Sequence, residues 1–437
     1  MGIGKRGERV PESDAERSIQ PPAAGQEQPV KAQQGFGPPG SGQSGFGPPP
    51  TALWQAPSEV ERGLYEAKTR QDWAAYFDVL AGAYLYHPMP RAEADADLGS
   101  VTVTPYWNPQ WGVYMIGYFT HGVLPVPVED PVYFRRSLSR VAEAWRDDAM
   151  WLAINPGTPC EAYFPATAAH RAVWVRHTET IQPSRPGTLQ ALRVGGPLQG
   201  QVAHGLACGA LQCVRNGSLW NAMAWHGTGY WAERERLREW WGITTRGQWQ
   251  STIEDLLRGQ GGLWEDVLEI RCVLAREYGG LVEPGHWRHA VARIIRAQAA
   301  EAGADDADTE AEIRRVHQLI GRITRYEARF RADGLLPANR YVRSVLAWYF
   351  GRASKMARWG LGARFCDIGE AEATVVRASR VSQVAYPSWE DFSAGYILGR
   401  CLHFDEEEFG PWYEEMLTAH RVLTSDPASP WLTIPWT

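Results

Sequence analysis

The chain is poor in lysine, in paired cysteines and in long apolar runs, and each shortage excludes a class of protein. Only four lysines accompany 40 arginines, and Lys355 alone follows residue 70, so a Schiff-base mechanism would depend on this one side chain. The six cysteines contain no Cys-X-X-Cys pair, which argues against a disulfide scaffold or a zinc ribbon. No run of 18 apolar residues occurs, so no membrane-spanning helix is expected.

The charge balance argues against partners that bind through bulk electrostatics. Acidic residues outnumber basic ones by 50 to 44 and the isoelectric point is about 6.0, so neither nucleic acid nor a membrane surface is an expected partner. The N-terminus has basic side chains but no apolar segment, unlike a secretory signal. We therefore expect a cytoplasmic protein.

Signatures of common enzyme classes are also missing. The sequence has no His-Glu-X-X-His, no Walker A motif and no Gly-X-Ser-X-Gly. His204 and Cys208 could share a helical face, but the irregular spacing of the other ligands completes no tetrahedral zinc set. We predict no metal and no cofactor, and the sequence does not favour a catalytic role.

Residues 1–52 are rich in glycine and proline and are predicted to be a disordered tail. The first 50 positions hold 19 such residues, and the pentamer Gly-Phe-Gly-Pro-Pro occurs twice. Such a segment buries too little apolar surface to offset its chain entropy. Two interpretations remain: a plain linker, or a docking tail in which Phe36 and Phe46 contact a partner.

Residues 58–180 have the pattern of a small α+β module. Ser58 and Glu61 have capping-box spacing at the start of a helix, and a second helix is predicted at 71–83. Asp130 followed by proline predicts a further helix, continuing to Arg146. Short runs of aromatic and β-branched residues predict strands at 84–86, 101–107, 113–119 and 151–154.

A connector at 181–214, containing a helix, leads to a larger all-α module at 215–437. Capping pairs mark helix starts at Thr245 with Gln248 and at Asp367 with Glu370. Apolar residues at helical spacing predict helices at 263–278, 284–300, 308–331, 337–360, 367–384, 388–403 and 409–423. The predicted fold class is therefore α+β, with the tail first, the small mixed module next and the helical module last.

Two family resemblances accompany this division. The first module resembles the N-terminal domain of the SseB family through residues 83–88, 118–120 and 152–157. The second is similar to the family called domain of unknown function 1266, through blocks at 237–243, 351–360, 388–392, 395–400 and 429–436. The resemblance implies a bacterial protein with a helical second module and no established activity. The arginine bias indicates a GC-rich genome, such as that of an actinobacterium.

Two Gly-Arg pairs carry the clearest local chemistry. Projection at ~100° per residue places Arg352 and Arg400 on helix sectors rich in aromatic residues. Each arginine follows a glycine, Gly351 or Gly399, which lets another backbone or a ligand approach closely. The candidate ligand-binding residues are Arg352, Arg400, Trp348, Trp359, Trp389, Tyr396 and His403.

A guanidinium group on such a face needs a partner, because burying an unpaired cation costs several kcal/mol. Structural pairing with Glu370, Glu390, Asp391 or backbone carbonyls is one interpretation. In the other, both arginines converge on the carboxylate or phosphate of a ligand.

The chain end is predicted to be an extended strap whose indoles pack over the helices. Its prolines make a regular helix or central strand unfavourable. Seven residues are predicted to have structural roles. They are the core residue Trp241, the two glycines Gly351 and Gly399, and the strap residues Ser429, Pro430, Trp431 and Trp436, and we call them the structural signature.

The sequence leaves three functional hypotheses. The first is a non-catalytic, two-module interaction or regulatory protein with a protein partner. An alternative is a sensor or enzyme that binds a small anionic ligand at the arginine-tryptophan cluster. The last is an effector or immunity component of a conflict system, which rests only on the modular layout.

Overall fold

The computed structural model describes residues 54–96, 103–124, 131–181, 183, 187–192, 196–223, 225–226, 230–259, 261–405 and 407–437. The predicted tail at 1–52 lies outside these ranges. In the described part, a small strand-containing N-terminal region precedes a larger helical C-terminal part, which confirms the predicted fold class. The boundaries at 180 and 215 stay predictions.

The N-terminal region combines short helices with two sheets. Its helices are α1 (Glu59–Thr69), α2 (Trp73–Ala81), α3 (Arg91–Ala96), α4 (Leu138–Ala144) and α5 (Ala168–Thr178). Its strands are β1 (Leu85–Pro90), β2 (Tyr106–Asn108), β3 (Val113–Tyr118), β4 (Pro131–Arg136), β5 (Trp151–Ile154) and β6 (Ala162–Pro165). A further strand, β7 (Trp225–His226), comes from the segment predicted to be all-α and pairs with β4, which corrects that prediction. One sheet has the order β1-β4-β7 and the other the order β2-β3-β5-β6.

Pairing within the sheets is mixed. Strands β1 and β4 are antiparallel, while β7 joins β4 in parallel. In the second sheet β3 and β5 run parallel, and the outer pairs β2–β3 and β5–β6 are antiparallel. Tyr86 and Phe119 exchange two backbone hydrogen bonds of 2.8 Å and thereby connect the two sheets.

Two local predictions in this region are wrong. The helix expected from 130 to 146 begins only at Leu138, after the Ser137 cap, because 131–136 pair with β1 as strand β4. The Ser58 hydroxyl accepts from Val60 N, but Glu61 does not complete the capping box. Its buried carboxylate instead accepts hydrogen bonds from Thr120 Oγ1 and from Gly122 N, the latter 3.1 Å long.

Twelve helices follow along the described chain from residue 200. They are α6 (Gly200–Ala207), α7 (Ala210–Arg215), α8 (Tyr230–Trp241), α9 (Arg246–Arg258), α10 (Gly262–Tyr278), α11 (Pro284–Ala302), α12 (Asp306–Ala332), α13 (Leu346–Gly362), α14 (Ile368–Ala385), α15 (Trp389–Phe404), α16 (Pro411–Ser425) and α17 (Pro430–Thr433). The two capping boxes predicted for the helical module are present, at Thr245 and at Asp367. Helix α13 starts nine residues later than the predicted 337.

Helix α13 is the centre of the helical part. Fourteen of its 17 residues are buried, and it packs against α14, α15 and α9, with further contacts to α6, α7 and α8. Helices α6 and α7 also pack on α14 and α16, so they belong to the same hydrophobic core. The pairs α13–α14 and α13–α15 form the packed frame on which the candidate site lies.

Candidate functional site

The crossing of α13 and α15 depends on the two glycines of the Gly-Arg pairs. A Cβ atom at Gly351 would stand 2.7 Å from Tyr396 Cε2 and 2.8 Å from the Cys208 carbonyl oxygen. At Gly399 it would stand 2.9 Å from Trp348 Cβ. Real Cβ atoms avoid such distances, so glycine is what allows the helices to approach this closely.

This close approach brings both arginines to one small pocket between α7, α8, α13 and α15. Arg352 is 9% exposed and Arg400 is 3% exposed. The space open to the centre of a water molecule is about 10 Å³, enough for about one water. The lining residues are Gln212, Trp241, Trp348, Arg352, Trp359, Tyr396, Arg400 and Phe404.

Aromatic rings surround the two guanidinium groups. The Cζ atom of Arg352 lies 4.2 Å from the centroid of the Trp348 ring and 4.5 Å from that of Trp241. The Cζ atom of Arg400 lies 4.9 Å from the Trp412 ring and 5.1 Å from the Phe404 ring. Cation–π contacts of this kind stabilise a desolvated cation by about 2 kcal/mol.

The pocket also has a polar wall. Gln212 is 7% exposed, and its Oε1 atom is buried without a hydrogen-bond partner among the described residues. A buried carbonyl oxygen is normally satisfied, by protein or by ordered water. The pocket thus brings two guanidinium groups and one amide oxygen together inside an aromatic frame.

Two of the carboxylates considered as structural partners are engaged elsewhere. Glu370 forms an ion pair with Arg246, and Asp391 forms one of 2.9 Å with Arg340. Glu390, the other carboxylate considered, is exposed on α15.

Two candidate residues lie apart from the pocket. Trp389 stacks on Trp431, with ring centroids 5.5 Å apart, and its Nε1 donates to the Ile434 carbonyl. His403 is exposed, with its ring 4.8 Å from that of Trp348. Both residues lie on the same broad face of α15 as Arg400, but only part of that face lines the pocket.

The structural signature at the chain end forms the predicted strap, with one turn of helix in it. Ser429 caps α17 by accepting from Trp431 N, and Pro430 occupies the first turn, where its missing N–H costs nothing. The Trp431 indole donates to the Ala207 carbonyl, and the Trp436 indole donates to that of Tyr386. The strap was expected to be extended throughout, and this turn corrects that expectation.

Three of the aromatic and polar groups around the arginines were not predicted from the sequence. Phe404 stands four residues after Arg400 on α15, a spacing that could have identified it. Gln212 and Trp412 come from α7 and α16, and no local pattern relates them to the Gly-Arg pairs. Trp241, expected in the core, packs against it and also contacts the Arg352 guanidinium.

Comparison with known proteins covers the segment that builds most of this site. Residues 236–436 match the model of the family described as "Protein of unknown function (DUF1266)". The DUF1266 segment contains both Gly-Arg pairs and every pocket residue except Gln212. No curated protein and no solved structure matches the chain. The resemblance of residues 58–180 to SseB stays a prediction.

Within the described ranges, every helix is too short or too polar to cross a lipid bilayer. The same ranges contain no group of three or more His, Cys, Asp or Glu side chains that could hold a metal ion.

Proposed function

We propose that the pocket between α13 and α15 binds a small anion, a carboxylate or a phosphate, and that the protein is a ligand-responsive regulator. The observation that supports this most is the convergence of two buried guanidinium groups on one pocket. The other proposed properties are a bacterial source, a cytoplasmic location and a protein partner.

The chemistry of the pocket favours an anion over other ligands. Arginine presents several N–H donors in a planar fork that matches carboxylate and phosphate oxygens. Buried charges interact more strongly than exposed ones, because little water screens them. The buried Trp348 ring contacts the Arg352 guanidinium and limits its conformations, so less conformational entropy is lost when a ligand binds.

The size of the pocket limits the ligand. Because about 10 Å³ holds about one water, a ligand must be small or must displace side chains. Trp241, Trp359 and Phe404 are only partly buried, so their rings are the ones that can move. The proposal is therefore a compact anionic group entering between these rings.

Thermal-shift measurements with phosphate, acetate and simple nucleotides test this function. A ligand at 100 times its Kd stabilises a protein by about 2.7 kcal/mol, which raises the melting temperature. Arg400→Lys, which loses the fork, should abolish the rise, while Arg380→Ala on the exposed face of α14 should keep it. No rise with any anion, or an equal rise in Arg400→Lys, would remove the basis of the proposal.

An exposed aromatic pair in the N-terminal region favours a second function, binding of a protein partner. Trp107 and Tyr114 are each 52% exposed, and their ring centroids lie 5.2 Å apart at the β2 edge of the sheet. Exposed aromatic side chains are enriched in protein interfaces. Affinity capture with wild-type protein and with Trp107→Ser/Tyr114→Ser should recover a partner that the double variant loses. An unchanged set of captured proteins would argue against this surface.

A further inference from the structure

A second cluster of charged groups lies in the core, where α7 meets α13. Cys213 Sγ is 3.1 Å from Arg358 Nη1 and 3.6 Å from Lys355 Nζ. The cysteine is fully buried, and each of the two basic residues is only 5% exposed. Lys355, the one lysine after residue 70, is therefore an interior residue.

The other polar contacts of the cluster carry no net charge. Arg358 Nη2 donates to the Leu219 carbonyl at 2.6 Å, and Nη1 is 3.4 Å from the Trp220 carbonyl. For Lys355 Nζ, the Cys213 sulfur is its hydrogen-bond partner, and the Trp359 ring centroid lies 5.7 Å away.

One buried carboxylate acts on the cluster from α8. Glu233 is 2% exposed, and its charge raises the pKa of Lys355, though less than burial lowers it. Both oxygens of Glu233 accept hydrogen bonds from Arg236, at 3.0 and 2.8 Å. This carboxylate is therefore already neutralised by its own arginine, and a second anion is needed near Lys355 and Arg358.

The electrostatic cost of the cluster identifies that anion. A buried cation without a counter-charge costs several kcal/mol, and here two cations share one site. A neutral thiol would leave both uncompensated, whereas an ionised sulfur accepts a hydrogen bond from each of them. We propose that Cys213 is a thiolate in the folded protein, held by Lys355 and Arg358.

Cys208 shows what burial does to a cysteine that has no neighbouring cation. Cys208, equally buried on the preceding helix, contacts Ser382 and its own helix, and burial raises its pKa to about 12. Burial also raises the pKa of Cys213, but the charges of Lys355 and Arg358 outweigh it and leave the pKa below its usual value. Burial lowers the pKa of Lys355 to about 8, and the charge of the Cys213 sulfur is the largest influence that opposes this shift.

Carbon-13 NMR of the full chain with labelled cysteine Cβ tests the proposal, because the Cβ shift responds to ionisation of the sulfur. At pH 7.5, one of the six cysteine resonances should have the thiolate shift. Cys213→Ser should delete it, while the matched variant Cys208→Ser should delete a thiol resonance. Lys355→Met should move the titration of the Cys213 resonance to higher pH.

The same spectra can overturn the proposal. A Cys213 resonance that keeps the thiol shift at pH 7.5, and titrates only near the ordinary value of about 8.5 or above, would show a neutral sulfur. If Cys213→Ser does not fold, Ser variants of the other five cysteines assign the remaining resonance by elimination.

Discussion

Buried arginines in this protein are stabilised in different ways, and the pair formed by Arg271 and Glu327 has the simplest arrangement. Both side chains are 5% exposed, and Arg271 Nη2 lies 2.8 Å from Glu327 Oε1. The same carboxylate accepts from Val342 N at 2.8 Å, and the Trp287 ring centroid lies 4.4 Å from Arg271 Cζ. The carboxylate thus connects α12 to α10 and to the segment before α13.

Replacing this carboxylate should be costly. Glu327→Gln keeps the shape but leaves Arg271 as a buried cation, so we expect a loss of about 3–5 kcal/mol in the free energy of unfolding. Urea denaturation measures it. The control is Glu310→Gln, whose pair with Arg296 is exposed and should contribute at most about 1 kcal/mol. Equal effects of both substitutions would contradict the assigned role of Glu327.

At the scale of elements, the crossing of α13 and α15 gives a sharp prediction. Gly351→Ala gains up to about 1 kcal/mol in helix propensity but forces a methyl group against the Cys208 carbonyl, an overpacking cost of about 1–3 kcal/mol. We expect net destabilisation, measured by urea denaturation. Gly247→Ala in α9 is the control, because a Cβ there meets nothing within 4 Å, and it should be neutral or stabilising. A stabilised Gly351→Ala protein would show that the helices can separate without cost.

The C-terminal strap should contribute substantially to stability. Trp436 is 8% exposed, its indole donates to Tyr386 at 2.8 Å, and its ring lies 4.6 Å from that of Trp389. Trp436→Ala should cost about 3–5 kcal/mol. Thermal denaturation tests this against Leu432→Ala, whose side chain is 55% exposed and should matter little. Equal melting temperatures for the two variants would show that the strap contributes little to stability.

Helices whose ends are determined by neighbouring residues could be predicted from the sequence. The capping boxes at Thr245 and Asp367 involve only neighbouring residues, so the starts of α9 and α14 were predicted correctly. Strand β4 could not be predicted, because residues 131–136 form a strand by pairing with β1, more than 40 residues earlier in the chain. Local capping signals favoured a helix there, and the distant partner overrode them.

Across the whole molecule, buried histidines should make the fold sensitive to acid. Burial lowers the pKa of His420 to about 4, and it also lowers the pKa values of His87 and His204. Between pH 6.5 and 4, these imidazoles are protonated in the unfolded chain but stay neutral in the folded protein. The free energy of unfolding should therefore decrease as the pH falls through this window. His420→Asn should flatten the pH dependence of the urea midpoint, whereas exposed His289→Asn should not. Parallel pH profiles for all three proteins would contradict this account.

The part of the candidate site that depends on local sequence patterns could also be predicted. The Gly-Arg pairs and the helical period identified Arg352, Arg400, Trp348 and Tyr396, because one helix face is a local property. Gln212 and Trp241 come from helices more than 100 residues earlier, and only tertiary packing brings them to the pocket. Helix projection likewise cannot show that Trp389 and His403 do not line the pocket.

Calorimetric titration of inorganic phosphate and of acetate into the full chain tests the central claim most directly. The account predicts saturable binding of at least one of these anions. It also predicts an affinity at least about tenfold weaker, 1.4 kcal/mol, in Arg352→Lys and in Arg400→Lys, with no change in Arg380→Ala. Absence of binding by both anions, or equal affinity in all four proteins, would contradict the claim that the two buried arginines form an anion site.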